Sequence, residues 1–357
     1  MEKNEFLHGG DIYTEGILKG RKLIDFSSNI NPLGVPSSFI QHIGEAVEVL
    51  DQYPDVKYRN LKKDLLEYIK CSSLYDSNII LGNGAAEVID LVISCFKKIL
   101  IIVPSFIEYE LNAKKWGCQI VYSYLDKDME LDYEDILYKL GQCDAVIIGN
   151  PNNPNGSLID KKKFIKILEF AKANEKTVII DEAFIEFTGS NQNNFAQEIK
   201  TYSCIFIIRA LTKFFGLPGI RLGYGISCDA QLLNEIRSKQ NPWNINCFAE
   251  IAAKYVLKDQ MYIDKSLRWI KKEVVYLPER LEKIKCIEKV YKTNTNFVLC
   301  KIRKMDCNKL YDICFAKGVI IRRASNFKGL DDSFVRFAIK DRARNDLLLS
   351  ILEDVEE

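Results

Sequence analysis

The sequence predicts an α/β protein in which a mainly parallel central sheet fills a large domain and a smaller α+β domain packs beside it. Three observations carry that expectation. Short β-branched apolar runs alternate with longer segments of helical periodicity through the middle of the chain. Toward the C-terminus this alternation gives way to one long helical stretch followed by scattered short strands. The length of 357 residues fits about two domains.

In chain order, the strand candidates of the large domain are 78–81, 99–103, 119–124, 145–149, 177–180, 204–208 and 222–227. Between them, 85–96, 133–140, 161–174 and 230–240 show the i, i+3, i+4 apolar spacing of helices. Strands separated by helices imply crossover connections and parallel pairing. Beyond these come a helix over 260–285, strands at 297–301, 319–322 and 335–339, a helix over 306–316 and a closing helix. The expected large domain is 50–255, and the small one combines 1–49 with 256–357. The chain shows no repeat, low-complexity tract or Pro/Gly-rich linker, so the two domains are expected to pack tightly.

Composition narrows the function. Lys and Arg number 50 against 49 Asp and Glu, a net charge of +1, with no long charge run, so neither nucleic acid nor a membrane surface is an expected partner. The start, MEKNEFLHGG, lacks the apolar core of a secretory signal, and apolar runs such as 99–104 are too short to span a bilayer, so a cytoplasmic protein is expected. Eleven cysteines occur without a C-x-x-C pair. Cys300, Cys307 and Cys314 recur every seven residues, but no histidine accompanies them and the chain has only two, so reduced, mostly buried thiols are expected and no metal.

In an open α/β sheet, ligands bind beyond the carboxyl ends of the strands. Four unusual segments fall there: Gly82-Asn83-Gly84-Ala85-Ala86-Glu87, the Asn/Pro-rich run 150–156, Asp181-Glu182-Ala183-Phe184, and Arg209-Ala210-Leu211-Thr212-Lys213. Arg221 follows eight residues after Lys213. A lysine at a strand end can condense with an aldehyde cofactor once its surroundings lower its pKa. A carboxylate leaving an apolar strand, as Asp181 does, can keep a pyridine nitrogen protonated and make the ring an electron sink. Amides of Gly84, Ala85 and Ala86 at a helix N-terminus suit a phosphate, with Arg221 to neutralise it. Asn153 can bond a phenolate oxygen, and Phe106 or Tyr109 could stack on a ring. Each feature alone is commonplace: glycines make turns, a lone Asp caps a helix, and a lone Lys is usually solvated. Their conjunction at one sheet edge is what points to a site.

These residues resemble the signatures of the fold-type I pyridoxal-phosphate aminotransferase family. The match lies in the Asn-Pro-Asn-Gly run at 153–156, the Asp-Glu-Ala at 181–183, and the T-K-x-x-x-x-P-G-x-R-x-G run at 212–223, and it extends over essentially the whole chain. The resemblance implies pyridoxal 5'-phosphate as cofactor, with Lys213 as the Schiff-base lysine, Asp181 on the pyridine nitrogen, and Asn153 on the ring oxygen. It further implies Arg221, Thr212 and the 84–86 amides around the phosphate, and Tyr109 as a cofactor contact. Arg336 matches the arginine that holds the substrate carboxylate. Tyr53 matches a tyrosine that reaches the partner subunit's cofactor in a homodimer.

Two subgroups of the family compete, and the sequence looks more like its threonine-phosphate decarboxylases than its histidinol-phosphate aminotransferases. His8-Gly9-Gly10, the 25–34 segment DFSSNINPLG, Phe184 in place of a tyrosine, and Pro242-Trp243-Asn244-Ile245-Asn246 carry that likeness. Asp11 and Ala210 depart from it: relatives tend to have Asn at the first position and a phosphate-binding serine at the second. The implied reaction is loss of CO2 from O-phospho-L-threonine, with His8, Asn31, Arg322 and Arg336 on a small phosphorylated amino acid. The alternative is amino transfer from histidinol phosphate to 2-oxoglutarate. A nicotinamide-dependent dehydrogenase would explain the glycines at 82–84 but not Lys213, and a regulatory module on this fold would need a fused DNA-binding segment for which the chain has no spare length.

Overall fold

A computed structural model describes residues 8–355. Seven strands form the central sheet: β2 (Ile79–Asn83), β3 (Lys98–Val103), β4 (Gln119–Tyr124), β5 (Ala145–Gly149), β6 (Thr177–Asp181), β7 (Ile205–Ala210) and β8 (Leu222–Ser227). Their spatial order is β2-β8-β7-β6-β5-β3-β4. The pairs from β4 through β7 are parallel, whereas β8 runs antiparallel between β7 and β2. All seven expected strands are present, with ends shifted by a residue or two. β5, β6, β7 and β8 are buried along their whole length, as strands covered by helices on both faces must be.

The remaining strands are β1 (Ile24–Asp25), β9 (Ile287–Val290), β10 (Phe297–Ile302), β11 (Val319–Ile320), β12 (Arg322–Arg323) and β13 (Phe334–Ala338). β9, β10, β12 and β13 make an antiparallel sheet in the order β12-β13-β10-β9. The single strand expected over 319–322 is in fact two. Val319 and Ile320 pair in parallel with β1, and the chain then turns so that Arg322 lies opposite Arg336 on β13. Hydropathy cannot show this change of partner, because both pieces are buried. The β1–β11 pairing joins the N-terminal segment to the C-terminal part of the chain. Helix Gln260–Leu281 spans most of the expected 260–285 and carries Pro278 in its last turn. None of the described helices is long and apolar enough to cross a membrane.

Reversal of β8 matters for the site. It brings the start of β8, rather than its end, to the edge where β2, β5, β6 and β7 finish, so Arg221 arrives beside Gly84 and Lys213. Two glycines allow that approach. A Cβ on Gly223 would sit 2.2 Å from the Ala85 backbone nitrogen, and one on Gly84 would sit 2.4 Å from the Arg221 Nη2. Gly84 has φ +80°, which a glycine adopts without strain.

Beneath this edge, Arg209 at the end of β7 donates from Nε (2.9 Å) and Nη2 (2.8 Å) to Glu182 Oε2, just past β6. Glu182 Oε1 accepts from the Phe195 amide at 2.7 Å. Both side chains are buried. Removing one partner leaves an uncompensated charge in the core. Arg209→Met should therefore lower the free energy of unfolding by about 3–5 kcal/mol, measured by urea denaturation of the apoprotein. A loss below about 1 kcal/mol, the worth of an exposed pair, would mean that the pair does not hold the strand ends.

Candidate functional site

A cavity of about 290 Å³ opens where these strand ends meet, lined by residues from all four expected segments together with the N-terminal segment and β12–β13. Lys213, Arg221, Arg322 and Arg336 line it, against Asp181 as its carboxylate. That imbalance favours an anionic occupant.

Each charged group has an identifiable support. Asp181 ends β6, where burial pushes its carboxyl up; the Tyr109 hydroxyl, the Ala183 amide and the Lys213 charge oppose that. Tyr109 donates to Oδ2 at 2.6 Å and Ala183 N–H to Oδ1 at 3.0 Å. Burial lowers Lys213 to about 8, with Arg336 and Arg221 adding repulsion and Asp181 partly offsetting it. Its backbone carbonyl accepts from the Asn31 amide at 3.1 Å, and its ammonium lies 6.0 Å from the centre of the Phe184 ring. Arg336 donates to Asn153 Oδ1 and, at 2.6 Å, to the Ser27 carbonyl. Burial and the nearby Arg322 bring Arg336 down to about 9. Arg322 donates to Asn326 Oδ1 at 2.8 Å, lies 5.2 Å from the Phe327 ring centre, and is lowered to about 10 by burial and then by Arg323.

The cradle expected for a phosphate is built. Gly84 caps helix Ala85–Ile93 without a side-chain hydrogen bond to the first turn, which leaves its amides available. The Arg221 guanidinium lies over Gly84, and Arg221 itself has φ +61°, a conformation unusual for any residue but glycine and fixed here by an Nη1 bond to the Pro218 carbonyl (3.1 Å). Thr212 and Ala210 line the same side. A carboxylate, a lysine of lowered pKa, an amide-lined phosphate cradle and Asn153 together fit pyridoxal phosphate. Lys213 would hold its aldehyde carbon, Asp181 its ring nitrogen, Asn153 its ring oxygen, and Arg221 with the 84–86 amides its phosphate.

One expected residue is placed differently. Asn31 is buried outside the cavity: its Nδ2 donates to the Phe214 carbonyl (2.7 Å) and Ser266 Oγ (2.8 Å), and its Oδ1 accepts from Leu33 N–H (3.0 Å). It braces the Lys213 loop and is not a substrate contact. Asn29, two residues earlier, lines the cavity instead, with a buried Oδ1 that has no hydrogen-bond partner. The two asparagines sit in one polar segment, and alternation alone does not say which faces inward. Tyr53 is 81% exposed and packs against Trp243 with ring centres 4.8 Å apart and planes tilted by 36°, away from this chain's own cavity and open to the expected partner subunit. Tyr109 and Phe106 both line the wall, packed edge-on to each other, and Tyr109 directs its hydroxyl to Asp181. His8 is at the cavity mouth, with Nε2 2.8 Å from Glu108 Oε1.

Sequence reading also missed the shelf of Ser27 and Ser28. Asp25 fixes it by accepting from the Ser27 amide (2.7 Å) and hydroxyl (2.6 Å) and from both Ser28 donors. Lys340 supports it from below, donating to the Ser28 carbonyl at 3.0 Å. The serines carry no motif of their own and become visible only through these partners.

The lowered Lys213 pKa has a kinetic consequence, because only the neutral amine attacks an aldehyde. The rate at which the apoprotein captures pyridoxal phosphate, followed by visible absorbance, should rise with pH around a midpoint near 8. Arg336→Ala removes a like charge, so that midpoint should move up toward the ordinary lysine range. A midpoint above 10 in the unaltered protein would contradict the geometry.

Comparison with known proteins gives the family. The family model "Aminotransferase class I and II" matches residues 21–352. A protein of Caldanaerobacter subterraneus subsp. tengcongensis named "Putative threonine-phosphate decarboxylase" is 40% identical over 98% of this chain and 94% of its own length. The threonine-phosphate decarboxylase of Salmonella typhimurium is 31% identical over 98% of this chain and 96% of its own. A crystal structure described as the histidinol-phosphate aminotransferase from Clostridium acetobutylicum has a TM-score of 0.90 and 57% identity, covering 93% of this chain and 98% of that one. On the match of the family model over nearly its full length, the chain belongs to the class I and II aminotransferases, the fold-type I enzymes that work with pyridoxal phosphate.

Proposed function

We propose that this enzyme removes CO2 from O-phospho-L-threonine, giving aminopropanol phosphate. The observation that carries the reading is the second buried arginine. Arg336 suits the carboxylate of an amino acid, Arg221 suits the cofactor phosphate, and Arg322, opposite Arg336 on the cavity wall, suits a further anion on the substrate. His8, Asn29 and the Ser27–Ser28 shelf lie on the same side. The relatives named threonine-phosphate decarboxylase support the proposal, and the histidinol-phosphate aminotransferase structure supports the alternative of amino transfer to 2-oxoglutarate.

Bound pyridoxal phosphate supplies an electron sink for the pair left when a bond to the substrate Cα breaks. The protein chooses the bond by orientation. Arg336, itself held by Asn153 and the Ser27 carbonyl, would anchor the carboxylate, while Arg322 and His8 anchor the phosphate at the far end. Two fixed ends leave the Cα with little freedom to rotate. Lys213 lines the same cavity and would deliver a proton to Cα after CO2 leaves. Phe184 presents a ring with no hydroxyl beside Lys213, so it adds no second proton donor there.

We propose further that the active unit is a homodimer in which Tyr53 completes the partner's phosphate cradle, and that residues 50–255 and the remainder form its large and small domains. Exposed Ile40, Ile43, Val47, Leu50, Tyr53, Val56 and Trp243 favour an apolar contact between copies. Tyr53→Phe should then weaken cofactor affinity by about 0.5–1.5 kcal/mol, and a fully active monomer at assay concentration would refute the dimer.

Phosphothreonine should release CO2 without any keto-acid acceptor, and threonine itself should react far more slowly. Arg322→Ala should raise the barrier for the phosphorylated substrate selectively, by about 1.5–3 kcal/mol. Both are read by product analysis with phosphothreonine and histidinol phosphate side by side. Glutamate formed from histidinol phosphate and 2-oxoglutarate, with no CO2 from phosphothreonine, would assign the enzyme to the aminotransferases.

A further inference from the structure

Tyr109 is 2% exposed, near the start of helix Glu108–Lys115. An aromatic in this position is expected to offer its ring to a cofactor. Its ring shares the cavity wall with Phe106, packed edge-on to it (centres 5.9 Å apart, planes at 89°), and its hydroxyl reaches Asp181 at 2.6 Å. We infer that Tyr109 is a positioning residue that acts through Asp181: its hydroxyl orients the carboxylate and keeps it an anion facing the ring nitrogen of the cofactor.

The hydrogen-bond pattern supports this. The two carboxylate oxygens are anchored separately, Oδ2 by Tyr109 and Oδ1 by the Ala183 amide, so the group cannot turn about its own axis without losing a bond. The Ala183 bond is part of the turn that follows β6 and orients only one oxygen. Tyr109 comes from a different element and fixes the second. Burial favours a neutral carboxyl at this place, and a donor on each oxygen opposes that. Burial and the adjacent carboxylate hold the Tyr109 phenol far above its usual range, so it stays a donor at all working pH values. Phe106 lies on the cavity wall beside Tyr109, so an aromatic face toward the cofactor does not depend on the Tyr109 hydroxyl.

The inference rests on the cofactor and not on which substrate is used, so its test contains no substrate. Tyr109→Phe keeps the ring and removes only the hydroxyl, which separates positioning from stacking. In the holoenzyme the visible absorbance of bound cofactor is titrated with pH, and the cofactor dissociation constant is measured. Without the hydroxyl, Asp181 pairs less well with the ring nitrogen, and the ring withdraws fewer electrons from the Lys213 nitrogen. The titration midpoint should move up and the dissociation constant should rise roughly tenfold, the scale of one hydrogen bond to a charged group. In an Asp181→Asn background the same change should do nothing further, because the residue it acts through is gone. Wild-type titration and affinity in Tyr109→Phe, or an equal effect in both backgrounds, would overturn the inference. Should Tyr109→Phe fail to fold, 3-fluorotyrosine at 109 keeps the shape and strengthens the donor. The midpoint should then move down, and an unmoved midpoint would be equally decisive against it.

Discussion

The buried pair between Arg209 and Glu182 is the constraint on which the site depends. Glu182 follows Asp181 directly, and Arg209 precedes Lys213 by four residues, so one bidentate contact ties the segment carrying the carboxylate to the segment carrying the lysine. Neighbouring residues at a strand end point to opposite sides. Asp181 therefore enters the cavity while Glu182 turns beneath it toward Arg209. The Phe195 amide on Glu182 Oε1 adds a third segment to the same anchor. Close by, burial pushes the Glu186 carboxyl up to about 7, with Arg209 opposing and Glu182 adding repulsion. Both side chains of the Arg209–Glu182 pair are buried, so solvent screens their attraction little.

Above that anchor, the cavity gathers like charges. Arg322 and Arg336 are direct cross-strand partners, and such side chains share a face of the sheet. Each is lowered by burial and the pair repel, while Lys213 is lowered by burial and by Arg336. A cluster of this kind is unfavourable when nothing anionic is present, and every anion that enters relieves it. Under the proposed reaction, cofactor phosphate, substrate carboxylate and substrate phosphate would each be drawn to a cation held by hydrogen bonds. Affinity and orientation come from the same groups.

The geometry at the sheet edge also depends on space as much as on charge. The antiparallel β8 could not bring Arg221 to the cradle if Gly84 or Gly223 carried a side chain. Arg221 pays a small conformational cost in its left-handed backbone to aim at Gly84. Behind Lys213, Asn31 uses its side-chain donors and acceptor to fix the loop backbone, so the lysine's position is set from both ends.

By itself the sequence located the seven central strands and their predominantly parallel pairing, and it singled out Lys213, Asp181, Asn153, Arg221 and Arg336, which the fold brings to one cavity. These were legible because a buried parallel strand must be an apolar run, and because the chemistry at strand ends uses residue types found in fixed local order. Tertiary structure decided what local order leaves open. It chose Asn29 over Asn31 for the cavity, since adjacent polar residues in an irregular segment have no period to sort them. It divided 319–322 between two sheets, since burial looks the same whichever strand is the partner. It directed the Tyr109 hydroxyl to Asp181, a contact no local pattern shows because the carboxylate lies 72 residues away along the chain. Side-chain direction outside regular elements, and contacts between distant segments, are set by packing that no local pattern encodes.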